Sequence, residues 1–178
     1  MALTGLMLLM VACTDTNGLP APFTPNAVDT VSLYALRGTA LTLPSAYSLL
    51  GALAVRTDLT TALDFAFDFD SLKAPALYPT GAINLGQLSG LQRSTTSFDA
   101  TRLAPTGGYI LDKPITVDTG TVLLVRSRPT QCTFGVTLAL YAKLRVLAVD
   151  TAARRLDFEI LVDQNCGYRG LELGLPKQ

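Results

Sequence analysis

The sequence predicts an all-β fold: an antiparallel β-sandwich of roughly seven to nine strands, with a long C-terminal hairpin and one disulfide. Three observations lead there. From Ala27 onward, short β-rich runs are separated by Gly, Pro and Asx turns. Two alternating runs, Val136 to Asp150 and Arg155 to Asp163, flank a turn at Thr151 to Arg154. Two cysteines, Cys132 and Cys166, sit just beyond the ends of that paired system. The 178 residues, 49% hydrophobic and 16% charged, suffice for one domain with its own core. Residues 27–178 are expected to form that domain, preceded by a leader over 1–13 and a tether over 14–26.

Met1 to Ala12 is an apolar run ending at Cys13. As a helix it would reach only about 18 Å, short of a hydrocarbon core of about 30 Å. It suits the apolar region of an export signal. Met10-Val11-Ala12-Cys13 resembles a bacterial lipobox, in which the cysteine becomes the acylated N-terminus. Met10 stands where Leu is usual, and no Lys or Arg precedes the run. The alternative is a buried N-terminal segment with an ordinary free cysteine. Thr14 to Pro25 carries three prolines among small polar residues and reads as an extended tether with few ordered contacts, or else as a lead-in packed on the sheet.

Val31 to Leu36 alternates as a strand and breaks at Arg37-Gly38; Leu41 to Leu43 ends at Pro44. Ser45 to Leu53 fits either a helical turn or a strand. Leu63 to Asp70 alternates most clearly, with Leu63, Phe65, Phe67 and Phe69 on one face and Asp64, Asp68 and Asp70 on the other. This predicts a half-buried strand with a solvated acidic face. Asp68 and Asp70, about 6.5–7 Å apart at alternate strand positions, are the weak candidates for a shared hard cation such as calcium.

Ala74 to Thr116 is richer in turns, with strands expected at Leu77-Tyr78 and Ile83 to Leu91. Gly81 and Gly86 have phosphate-loop spacing, but Gln87-Leu88 replaces the required Lys-Ser/Thr. Pro105 to Gly108 reads as a tight turn. Val122 to Val125 is apolar on both faces, as a central strand would be. In the hairpin, Leu138, Leu140, Ala142, Leu144, Val146 and Ala148 share one face, and Leu156, Phe158, Ile160 and Val162 return inward. Lys143 and Arg145 then oppose Asp157 and Glu159 on a solvated outer face.

Composition excludes several functions. The 14 basic and 14 acidic side chains give no basic stripe for a nucleic acid. There is no histidine to act as general base or metal ligand, and no tryptophan. No Cys-x-x-Cys or Gly-x-Ser-x-Gly occurs, so Cys132 and Cys166 read as a structural staple formed in an oxidising compartment. Gly167 marks a turn needing positive φ.

Leu140-Tyr-Ala-Lys-Leu-Arg-Val146, Asp163-Gln-Asn-Cys-Gly-Tyr-Arg169 and Gly174-Leu-Pro-Lys177, with Ser32-Leu-Tyr-Ala-Leu-Arg-Gly-Thr39, resemble the signature of uncharacterised bacterial envelope lipoproteins. That resemblance implies an exported β domain and brings no known chemistry or cofactor. The expectation is a non-catalytic scaffold, anchored through Cys13 and docking on other envelope or membrane proteins, including as an extrinsic accessory subunit of a membrane complex. The competing expectation is a binder of a small ligand or glycan, with Tyr78, Tyr109 and Tyr47 as aromatic faces in the turn-rich middle. An enzyme would have to rely on carboxylates such as Asp68 and Asp70.

Overall fold

The computed structural model describes residues 19–132 and 135–177. The leader and Cys13 lie outside them. Among the described residues the secondary structure is twelve strands and one 3₁₀ turn, with no α-helix. The strands are β1 (Val28–Tyr34), β2 (Ala46–Ser48), β3 (Leu53–Val55), β4 (Phe65–Phe69), β5 (Pro75–Pro79), β6 (Gly90–Arg93) and β7 (Ile115–Thr116). They continue with β8 (Val122–Arg126), β9 (Thr130–Gln131), β10 (Thr137–Leu138), β11 (Tyr141–Asp150) and β12 (Arg155–Asp163). All pairings are antiparallel, in two five-stranded sheets: β1-β12-β11-β8-β6 and β3-β2-β4-β5-β7. A separate ribbon pairs β9 with β10. The strands beyond the expected nine are runs of two or three residues, too short to show a period.

Phe65, Phe67, Tyr47 and Leu77 from the second sheet meet Phe158, Leu144, Leu123 and Leu33 from the first in one continuous buried core. Tyr47 stacks on Phe65 at 5.5 Å, and both lie 6.0 Å from Phe158. Burying side chains of this size contributes about 1.5–3 kcal/mol each, which makes this contact the main force holding the layers together.

Ser45 to Leu53 resolves as the β2–β3 hairpin, not a helical turn. Ile83 to Leu88 is not a strand: Thr80–Ile83 forms the 3₁₀ turn, and pairing resumes only at Gly90. The long hairpin forms as expected, with Ala142 opposite Val162 and Val146 opposite Phe158. A bulge at Leu147 then shifts the register, so Ala148 faces Asp157 and Val149 turns to the core instead. Leu138 lies outside this strand, in the β9–β10 ribbon.

One face expected to be solvated is buried, and a second is covered in part. Every residue of β4 is buried, because Leu36, Ile83 and Leu85 pack over Ala66 on its outer side. Asp64 and Asp68 are buried with it. On the first sheet, Arg145 pairs with Glu159 at 2.6 Å, as the alternation predicted. Lys143, however, lies opposite Leu161 and is buried under the 98–104 segment. Its ammonium donates to the carbonyls of Phe98 and Thr101 at 2.8 and 2.9 Å and sits 4.6 Å from the Phe98 ring centre. Burial pushes its pKa down. The solvated reading fails at Lys143 because a loop returns over this part of the face, which strand periodicity does not record.

The disulfide joins Cys132 to Cys166 across 34 positions. Gly167, at φ +81°, makes the turn beside it. In the chain-entropy picture, a loop of this length confers about 4 kcal/mol. A Cys132→Ser, Cys166→Ser double variant should therefore lose about 3–4 kcal/mol in urea titration; an unchanged midpoint would show that the bridge is structurally idle.

Candidate functional site

β4 carries the acidic cluster that sequence singled out, and the structure assigns its members separate tasks. Asp64 is buried just before the strand. Its Oδ2 accepts the Leu49 N–H at 2.7 Å, and its Oδ1 accepts the Arg128 N–H at 2.8 Å. One carboxylate thus ties the β2–β3 turn to the chain leaving β8, joining the two sheets. Burial pushes its pKa up, opposed by those two hydrogen bonds.

Asp68 does the same at the other end. Arg37 donates to it from Nε at 2.6 Å, and Arg154, from the β11–β12 turn, at 3.3 Å. Its Oδ1 also accepts the Phe69 N–H at 2.8 Å. Arg154 donates from Nε to the Arg37 carbonyl at 2.8 Å and lies 4.6 Å from the Phe69 ring centre. The main chain changes sheets here: Ala35 N–H bonds to the Arg154 carbonyl, and Leu36 N–H to that of Phe67. Asp70 takes a local role, accepting the Leu72 and Ala74 N–H groups at 2.8 Å each. Both cation candidates, Asp68 and Asp70, are therefore engaged by other groups. Among the described residues no three acidic or cysteine side chains converge as a metal site would need.

Beside Asp68 lies a cleft of about 350 Å³ lined by Leu36, Arg37, Asp68, Tyr78, Ala82 and Ile83. Tyr78 shares the outer face of the second sheet with Asp68, since Ala66 pairs with Tyr78 and Asp68 with Ala76. Burial, and then the Asp68 charge, pushes the Tyr78 phenol up. Arg37 is 73% exposed at the rim. Hydrogen bonding to Asp68 holds its guanidinium above the ordinary value. This is the place where two sequence candidates, Asp68 and Tyr78, come together.

The other tyrosines do not join them. Tyr47 is wholly buried in the core, which overturns its candidacy as an exposed aromatic face. Tyr109 packs 6.4 Å from Tyr141 and donates to the Pro105 carbonyl at 3.1 Å. It belongs to the cover of the first sheet, and burial raises its pKa.

At the opposite end from Asp68, the lead-in is docked. Asn165 Oδ1 accepts the N–H groups of Phe23 and Thr24 at 2.9 and 3.0 Å, and its amide donates to the Thr24 carbonyl at 2.8 Å. Tyr168 donates to the Pro20 carbonyl at 2.8 Å, and Asn26 exchanges backbone hydrogen bonds with Gly174. Residues 19–26 are thus packed on the domain, where an extended tether with few contacts was expected. Asp163, wholly buried, fixes Asn165 by accepting its backbone and side-chain N–H groups at 2.9 Å each. Its second oxygen has no partner, and burial pushes its pKa up to about 6.

Arg37, Arg154 and Asn165 were missed by sequence reasoning. Arg37-Gly38 read only as a strand break, and no local pattern tells an arginine that will meet Asp68 from one facing water. No protein-family model matches the chain, and no curated protein matches it.

Two outcomes test these assignments. Asp68→Asn turns an amide donor toward an arginine donor and should cost about 1–3 kcal/mol, read as a lower urea midpoint at unchanged slope; little of that comes from exposed Arg37. For Asp163, the folded pKa of about 6 exceeds the ordinary 3.8. The folded state therefore holds a proton that the unfolded chain has released, and its contribution is complete below about pH 4. It is lost as pH rises through 6, by about 3 kcal/mol. Asp163→Asn should gain on the native chain by that amount between pH 4 and 7; a pH-independent difference would refute the assignment.

Proposed function

We propose that the chain is a non-catalytic, lipid-anchored protein of the bacterial cell envelope that serves as an interaction or scaffold module. It docks on other envelope or membrane proteins, as an extrinsic accessory subunit of a larger membrane complex would. The observation that carries this reading is the docked lead-in. The stretch that begins six residues after Cys13 is hydrogen-bonded to Asn165, Tyr168 and Gly174. An anchor at Cys13 would therefore hold the domain in a set place on the membrane rather than on a loose leash. Further support comes from the buried carboxylates Asp64, Asp68 and Asp163, each engaged in holding backbone or arginine groups.

A second reading is favoured by the cleft beside Tyr78. An exposed guanidinium over an apolar-walled hollow suits a small ligand or glycan bearing a carboxylate. Such a ligand should raise the melting temperature of the native chain and not that of Arg37→Ala.

Mass spectrometry of protein purified from its native membrane in mild detergent separates the readings. The scaffold predicts diacylglycerol on Cys13 and a stoichiometric membrane partner. Recovery of an acylated monomer alone would sink the scaffold, and an unmodified Cys13 would sink the anchor.

A further inference from the structure

We propose that the disulfide end of the sandwich is the membrane-facing surface and rests against lipid headgroups, leaving the Asp68 end turned outward. The proposal rests on acylation of Cys13. It adds which surface that anchor brings to the bilayer.

Leu19 is fixed at the disulfide end: a Cβ on Gly167 would come within 2.9 Å of its side chain and 2.8 Å of Leu138. The Pro20 carbonyl and the Phe23 and Thr24 amides are held immediately beyond. Cys13 precedes Leu19 by six positions, which at full extension span about 20 Å. An acyl chain on Cys13 therefore cannot let Leu19 stray farther than that from the headgroups. A domain of this length has a radius of gyration of about 16 Å, so a leash of similar length keeps the lead-in end near the bilayer, and the side chains exposed there favour that end over the flanks.

The surface so presented suits lipid. Around the disulfide, Phe23 is 79% exposed, Leu50 54% and Val136 51%. Gln164 donates to the Leu50 carbonyl, and Cys132 N–H to that of Val136, which places both side chains at this end. Arg128 lies nearby, its backbone N–H bound to Asp64 and its guanidinium donating to the Thr61 carbonyl at 3.3 Å in an exposed contact, and it adds a positive charge suited to anionic headgroups. At the opposite end, the Arg37–Asp68–Arg154 cluster is charged, and the Asp70 to Ala74 turn exposes a single large apolar side chain, Leu72, beside Asp70 and Lys73.

The chain has no tryptophan, so one substitution creates a sole fluorescent reporter. Val136→Trp marks the disulfide end and Leu72→Trp, at an 86% exposed position, marks the other. Full-length protein with Cys132–Cys166 oxidised is coupled through Cys13 to a maleimide lipid. The vesicles contain phosphatidylethanolamine, phosphatidylglycerol and brominated lipid. Chemical coupling makes the result independent of acylation in the cell. Quenching should be several-fold stronger in Val136→Trp than in Leu72→Trp. Equal quenching, none in either, or more at Leu72→Trp would overturn the orientation. Strong quenching at Val136→Trp with an unmodified Cys13 in native protein would overturn the anchor, and with it the native orientation, leaving only the preference of the coupled domain. Melting curves check that both variants fold.

Discussion

The structure depends on two buried carboxylates at the ends of one strand. Asp64 and Asp68 flank Phe65 and Phe67 of β4, and each reaches groups belonging to the other sheet: the Arg128 amide at one end, Arg154 at the other. Burying a carboxylate forfeits several kcal/mol of hydration, so neither position is stable unless its partners are in place. Hydrophobic packing between the sheets is strong and tolerates sliding. Hydrogen bonds to a desolvated charge are directional and do not. We read the core as supplying the attraction and the two aspartates as setting how the layers align.

The same division recurs on the first sheet. Lys143 ties the 98–104 segment down through the Phe98 and Thr101 carbonyls, and Phe98, Ala104 and Leu171 then cover Val122, Leu124 and Leu161. That part of the sheet is covered. Among the described residues the two ends and the cleft beside Tyr78 lie open, and the ends differ in character. One holds the lead-in, the disulfide and several exposed apolar side chains; the other holds the arginine–aspartate cluster and the sheet-crossing corner.

Much of this was legible in sequence because it rests on local pattern. The period of two in β12, the apolar run of β8 and the turn at Thr151 to Arg154 are properties of adjacent residues, and each element formed where expected. The disulfide followed from the placement of two cysteines just beyond that hairpin. Where the reading failed, distant chain intervened. A bulge at Leu147 displaced Ala148, loops closed over faces that alternation marked as wet, and Asn165 drew the lead-in onto the domain.

Sequence alone therefore determined the class of fold, the core-facing side of the long hairpin up to its bulge and the cysteine pair, since backbone geometry ties side-chain direction to position. It also raised Asp68 and Tyr78 as candidates. Only the tertiary structure decided that Asp68 belongs to Arg37 and Arg154 and that Tyr47 lies in the core while Tyr78 opens on a cleft. The physical reason is that desolvation is decided by what packs on top. A carboxylate on the outer face of a strand is wet or dry according to residues 30 to 90 positions away, and alternation carries no information at that range.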